Sequence, residues 1–132
     1  MLVRYLKKVV LIMFSVHIDK IGEMAVVECE GRISQDDDAF RLRDAVTAQR
    51  DARTIVLDLS ELTAIERGSL GMFLFLQRWA QDYDIRFKLF NPSKFVRERL
   101  RKASSISEFD IPTLDEMMAL LARADRQYAG AA

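Results

Sequence analysis

The sequence predicts an α/β domain, a mixed sheet of four to five strands packed against about four helices. Three observations carry this. Ile55-Val56-Leu57 sits in an almost continuous apolar run, Thr54 to Leu59, as in a strand buried on both faces. Helical patterns flank that run on either side, which suits a central strand with parallel partners. Ahead of it, Val27-Glu28-Cys29-Glu30 alternates apolar and acidic residues, the pattern of a half-buried strand.

The elements follow in order. Leu2 to Met13, LVRYLKKVVLIM, opens with charged residues ahead of a short apolar run. That run falls far short of the roughly 20 residues of a membrane-spanning helix. No small-residue cleavage site follows it. Residues 1–12 read as an extension ahead of a natural start at Met13, or as a docked arm. Residues 13–125 read as the domain and 126–132 as a tail.

Phe14 to Ile18 and Met24 to Glu30 form a hairpin around Ile21-Gly22-Glu23. Cys29 falls on the apolar side and is expected in the core. Gly31 to Ser34 is expected to leave the sheet. Ser34 or Asp36 then caps a helix running to about Ala48 on a stripe of Ala39, Leu42 and Val46. Asp36-Asp37-Asp38 complements the helix dipole. No glycine-spaced loop with a closing glutamate surrounds it, so it is not read as a calcium site.

After the central strand, a helix is expected from near Gly68 to Asp82, covered along Met72, Phe73, Leu76, Trp79, Ala80 and Tyr83. Leu70, Leu74 and Phe75 fall outside that face. Either neighbouring helices cover them or they form an exposed apolar patch. Ile85 to Phe90 alternates as a strand. Asn91-Pro92-Ser93 opens a helix built on Val96, Leu100 and Ala103. Its Lys94, Arg97, Arg99, Arg101 and Lys102 form a solvated face or a patch for an acidic partner. Ser104 to Ser107 is a polar link, and Glu108-Phe109-Asp110 is a candidate edge strand. Thr113-Leu114-Asp115-Glu116 is a capping box for a last helix built on Leu114, Met117, Met118, Leu121 and Ala122. Ala129 to Ala132 is expected to fray.

Composition excludes several functions. The 132 residues fit one domain. A formal net charge of zero removes the broad electrostatic case for nucleic acid or an anionic membrane, while leaving a local basic patch open. The single cysteine cannot form an internal disulfide, which suits the cytoplasm. One histidine and one cysteine supply neither a structural zinc site nor material for a nucleophile pair. Gly68 and Gly71 match neither dinucleotide nor Walker spacing. No catalytic residue, metal or cofactor is expected.

The candidate site is the strand-to-helix junction Glu66-Arg67-Gly68-Ser69-Leu70-Gly71, which sets backbone N–H groups, a hydroxyl and two charges at a helix start. The element order resembles the STAS domain over roughly Phe14 to Leu121. The most specific residues are Val56-Leu57-Asp58-Leu59-Ser60, followed at fixed distance by Leu70-Gly71, with weaker support from Ile85 to Leu89, Asn91-Pro92 and Gly31.

The resemblance implies a protein-interaction domain. In bacterial anti-sigma factor antagonists of this family the turn reads Asp-Ser-Ser/Thr-Gly-Leu-Gly, and a kinase-type anti-sigma factor phosphorylates its second hydroxyl residue. Without a gap, Glu66 takes the aspartate position, Arg67 the first hydroxyl, Gly68 the phosphoacceptor and Ser69 the glycine; Leu70 and Gly71 match. The resemblance thus implies a docking face of Glu66 to Gly71 with Leu74 and Arg78, and a phosphoswitch that is absent or moved to Ser69. Read from the residues, Ser69 is a helix-start group whose hydroxyl caps backbone N–H groups, and Asp58 accepts hydrogen bonds from the turn backbone.

Two other readings stand beside this one. The chain resembles a STAS subunit of a larger assembly, such as a lipid-transport accessory protein or a stress-signalling scaffold. Alternatively, Asp58, Glu66 and Arg67 near a strand end hold a nucleotide. A homodimer is left open.

Overall fold

The computed structural model describes residues 2–4, 13–103 and 109–131. Four strands form one sheet in the order β1-β2-β3-β4: β1 Ser15–Ile21, β2 Met24–Ile33, β3 Thr54–Ile65 and β4 Arg86–Phe90. β1 pairs antiparallel with β2, while β2/β3 and β3/β4 are parallel. The helices are α1 Asp36–Thr47, α2 Leu70–Asp82, α3 Lys94–Ala103 and α4 Leu114–Ala131. This is the mixed α/β architecture the sequence predicts. Most of residues 1–12, the proposed extension or arm, the Ser104 to Ser107 link and Glu108 of the candidate edge strand lie outside the described residues.

Strand alternation sorts side chains onto two faces. Ala25, Val27 and Cys29 of β2, Ile55, Leu57 and Leu59 of β3, and Phe87 and Leu89 of β4 join the cluster completed by Leu42 and Val46 of α1, Phe73 and Leu76 of α2, and Val96 and Leu100 of α3. Met24, Val26 and Val56 point the other way, toward Met117 and Ala124 of α4. Cys29 is a core residue as expected; burial first, and then the charge of Asp58, pushes its thiol pKa far up. It is therefore an inert thiol.

Several boundaries differ from expectation. β2 does not end at Glu30. Gly31 stays in the strand at φ +95°, and a Cβ there would lie 1.7 Å from the Met13 carbonyl oxygen. Only glycine lets the incoming chain cross at that point. β3 extends to Ile65 instead of stopping at Leu59. It carries two register shifts against β2, between Glu28 and Glu30 and between Gly31 and Arg32. These bulges break the alternation that would have marked the extension.

Neither Ser34 nor Asp36 caps α1. The N-cap is Gln35, and Asp38 reaches back to accept the N–H groups of Ser34 and Gln35, both at 3.1 Å. On α2, Leu70 is buried, one of the two alternatives for the residues outside the predicted face, while Tyr83, expected on the covered face, is 47% exposed. Tyr83 instead lies against Trp79 and beneath the Arg50 guanidinium.

Phe109 and Asp110 add no full strand. Asp110 makes one parallel bridge with Lys88, and its carbonyl accepts the Leu89 N–H at 2.8 Å. The capping box at Thr113 and Glu116 forms in both directions. On α4 the buried strip is Met117 and Ala124 with Leu120 and Leu121 beside it, whereas Leu114 and Met118 are exposed. α4 meets the sheet around Met24, Val26 and Val56, with Ile21 and Phe90 beside them, through a narrower stripe than expected.

Candidate docking site

The junction hangs from the last rung of the sheet. Ile65 pairs with Ile33, and the Glu66 N–H donates to the Ile33 carbonyl at 2.8 Å. Glu66 is still extended (φ −69°, ψ 145°). Arg67–Ser69 then winds one 3₁₀ turn, closed by the Ser69 N–H donating to the Glu66 carbonyl at 2.9 Å. α2 proper begins at Leu70, two residues later than the sequence suggests.

This turn divides the predicted site residues into two groups. Glu66, Arg67, Gly68 and Gly71 are exposed. Ser69 keeps 5% of its surface and Leu70 keeps 7%. Leu70 belongs to the core cluster. It anchors the helix to the core. Ser69 stands at the N-cap of α2 in helical conformation, with no side-chain capping bond. The expected capping role is thus not the one it plays; an N-cap needs an extended backbone to aim its hydroxyl at the following N–H groups.

Gly68 and Gly71 share an opposite property. A Cβ at either would meet nothing within 4 Å. Neither has a positive φ. Neither glycine is demanded by the backbone, so larger side chains fit at both.

From Gly71 the outward face of α2 continues through Leu74, Phe75 and Arg78, the i, i+3, i+4, i+7 set of one helix side. Leu74 is half-buried and Arg78 exposed. Phe75 is 49% exposed. The sequence placed Phe75 outside the covered face but not in the docking set; its spacing from Gly71 and Arg78 was the signal. Among the described residues neither Arg67 nor Arg78 forms an ion pair. The site is therefore a charged turn running into a short apolar ridge, an arrangement suited to binding a surface.

Asp58 does not reach the junction. Its Oδ1 accepts the Ser60 N–H at 2.9 Å and the Ser60 hydroxyl at 2.6 Å, and Asn91 Nδ2 donates to Ser60 Oγ at 3.2 Å. It stabilises the bulge in β3 and the exit of β4, not the docking turn. A groove of about 870 Å³ lies at the other end of β3 and β4, lined by Arg50, Arg53, Arg86 and Arg123. It contains none of Asp58, Glu66 or Arg67.

The chain belongs to the STAS family: the family model described as "Mlab, STAS domain" matches residues 16–105. No curated protein matches the chain. Among solved structures, an anti-sigma factor antagonist from Mycobacterium paratuberculosis superposes with a TM-score of 0.69 at 18% identity, covering 83% of this chain and 95% of that one. SpoIIAA, an anti-sigma factor antagonist of Bacillus, superposes in its unphosphorylated form with a TM-score of 0.65 at 17% identity, covering 84% and 97%. SLC26A9 superposes with a TM-score of 0.62 at 12% identity, over 81% of this chain and 21% of that much longer one. At these identities the likenesses establish the fold.

Proposed function

We propose that this chain is a non-catalytic interaction domain of bacterial cytoplasmic signalling. It docks a protein partner, a kinase-type anti-sigma factor or a protein of similar role, without the phosphoswitch of its relatives. The docking face is Glu66 to Gly68 with Gly71, Leu74, Phe75 and Arg78. One observation carries the reading. Gly68, in the acceptor position, offers open exposed space but no hydroxyl, while the neighbouring Ser69 is enclosed. A kinase needs the acceptor hydroxyl in its own active site, so a serine with 5% exposure is a poor substitute. The face stays in its binding form whatever the state of a kinase.

Photo-crosslinking in the cell of origin tests the docking face. A crosslinkable residue replacing Gly71 or Phe75 should capture one common partner, and one replacing Glu28 on the far side of the sheet should not. Capture from Glu28 alone would sink the assignment.

A second reading is favoured by the family description, which names Mlab rather than an antagonist. In it the same face holds the domain permanently inside a larger assembly, such as a lipid-transport complex. SLC26A9 illustrates the principle, since this fold makes up about a fifth of that chain. The identity of the captured protein, a soluble kinase-type factor or a transporter subunit, separates the two.

A further inference from the structure

A second surface is independent of the docking face. α3 is fixed to the sheet by Val96 and Leu100, which are fully or almost fully buried. The rest of the helix presents five cations, Lys94, Arg97, Arg99, Arg101 and Lys102, against one carboxylate, Glu98. Lys94, Arg97, Arg101 and Lys102 are exposed. Among the described residues none of the five forms an ion pair. Phe95 is 51% exposed at the helix start, with the Arg99 guanidinium 5.2 Å above its ring.

The charge has a direction. The net charge of the chain is zero, yet the bare part of the sheet's opposite face carries Asp19, Glu28, Glu30 and Asp58. Register sets Glu28 directly beside Asp58. Like charges side by side in a ladder are unfavourable, so this face is held negative at a cost. Behind the sheet the bare strands β1 to β3 are thus acidic, while Arg86 and Lys88 of β4 and Arg123 and Arg126 of α4 lie on that same side toward the other edge.

We infer that α3 docks on an anionic lipid surface and that the charge separation orients the domain against it. Unpaired bases clustered on an amphipathic helix are the signature of attraction to acidic headgroups. The bases are spread along and around a convex helix and do not converge on one point. That spread suits a diffuse field of headgroup charge better than the fixed carboxylates of one protein partner. Phe95 supplies a half-exposed aromatic at the edge of the patch, which can enter the headgroup boundary. The acidic stretch of β1 to β3 behind the sheet is repelled by the same surface, which favours approach through α3.

Flotation of the full chain with vesicles tests this. Vesicles of phosphatidylcholine containing phosphatidylglycerol should carry the protein at low salt; pure phosphatidylcholine should not, and salt near 0.5 M should release it. Each base near the surface is worth about fivefold in partitioning, so Lys94→Gln, Arg101→Gln and Lys102→Gln together should weaken it on the order of a hundredfold. Arg123→Gln with Arg126→Gln, on α4 across the sheet, should leave it nearly unchanged. All five side chains are exposed, so folding is not at stake.

Failure to bind the acidic vesicles, equal binding to both vesicle types, or equal loss in the α4 variant would overturn the proposal. So would salt-sensitive self-association, in a lipid-free sedimentation run, that the α3 changes abolish. α3 would then belong against the acidic face of a second copy. None of these readouts involves the α2 docking face.

Discussion

Gly68 and Ser69 are adjacent in the chain and occupy opposite environments: a Cβ on Gly68 meets open space, while Ser69 is 5% exposed. The 3₁₀ turn Arg67–Ser69 separates them. At three residues per turn, neighbouring side chains leave the axis about 120° apart. Gly68, which the resemblance equates with the acceptor position of STAS antagonists, faces solvent, and the neighbouring Ser69 hydroxyl faces inward. A shift of the switch by one residue would therefore need the turn to rewind, not merely a kinase to reach further.

It follows that Gly68→Ser places a hydroxyl where the acceptor belongs. The variant should fold at least as well as the wild type, since replacing a glycine at an unstrained φ lowers unfolded-chain entropy and adds about 0.4–1 kcal/mol. Incubated with a kinase-type anti-sigma factor and ATP, wild-type chain should gain no phosphate by intact mass, and the variant should gain one. Phosphate on Ser69 of the wild type would show the switch to be moved, not missing.

Gly31 makes the opposite prediction. Gly31→Ala puts a methyl group onto the Met13 carbonyl at a φ of +95°. Strain and displacement of the entering strand together should cost about 2–4 kcal/mol. Urea unfolding should show a lower midpoint with an unchanged slope. A loss below about 0.5 kcal/mol would mean that the chain at Met13 moves aside freely.

These two glycines also mark what was legible in the sequence. The element order could be read because Ile55 to Leu57 is an unbroken apolar run and Ala39/Leu42/Val46 and Val96/Leu100 each keep a clean helical period. The far half of β3 could not, because its two bulges put Ser60-Glu61 where alternation calls for one polar residue. The strand-to-helix junction is visible in its residues but not in its geometry. Nothing in Gly68-Ser69-Leu70 says that a 3₁₀ turn precedes the helix, and that turn decides which side chain is buried. The α4 stripe is narrower than its pattern for another reason: periodicity reports which residues can share a face, not how much of that face a neighbour covers.

Asp38 gives a pH-dependent prediction. Its carboxylate pKa is lowered. Burial is the largest single influence and acts upward, but the amide of Ser34, the Arg41 guanidinium and the amide of Gln35 together outweigh it. Arg41 in turn donates to the Phe14 carbonyl at 2.8 Å, so the charge also fixes the start of the fold. A depressed carboxylate pKa adds stability above its unfolded value, and that stability disappears as pH falls through the folded value. Asp38→Asn should therefore cost about 0.5–2 kcal/mol at pH 7. The gap to wild type should close below the ordinary aspartate pKa near 4. A gap constant from pH 7 to pH 3 would mean that packing, not charge, holds the α1 start.

Leu70 and Phe75 separate support from contact within the docking region. Leu70 is 7% exposed and part of the core, whereas Phe75 is 49% exposed on the outward ridge. Leu70→Ala should remove about 2–4 kcal/mol of stability. Any loss of binding should then track the fraction unfolded and be recovered at lower temperature. Phe75→Ala should change stability by no more than about 0.5 kcal/mol. An exposed aromatic on a ridge is the residue type that dominates binding energy, so the same change should weaken the partner complex at least about tenfold. Titration calorimetry with the crosslinked partner, alongside thermal unfolding of each variant, reads both quantities. Full-strength binding by Phe75→Ala would move the contact off the α2 ridge and leave the Glu66 to Gly68 turn to hold the partner by itself.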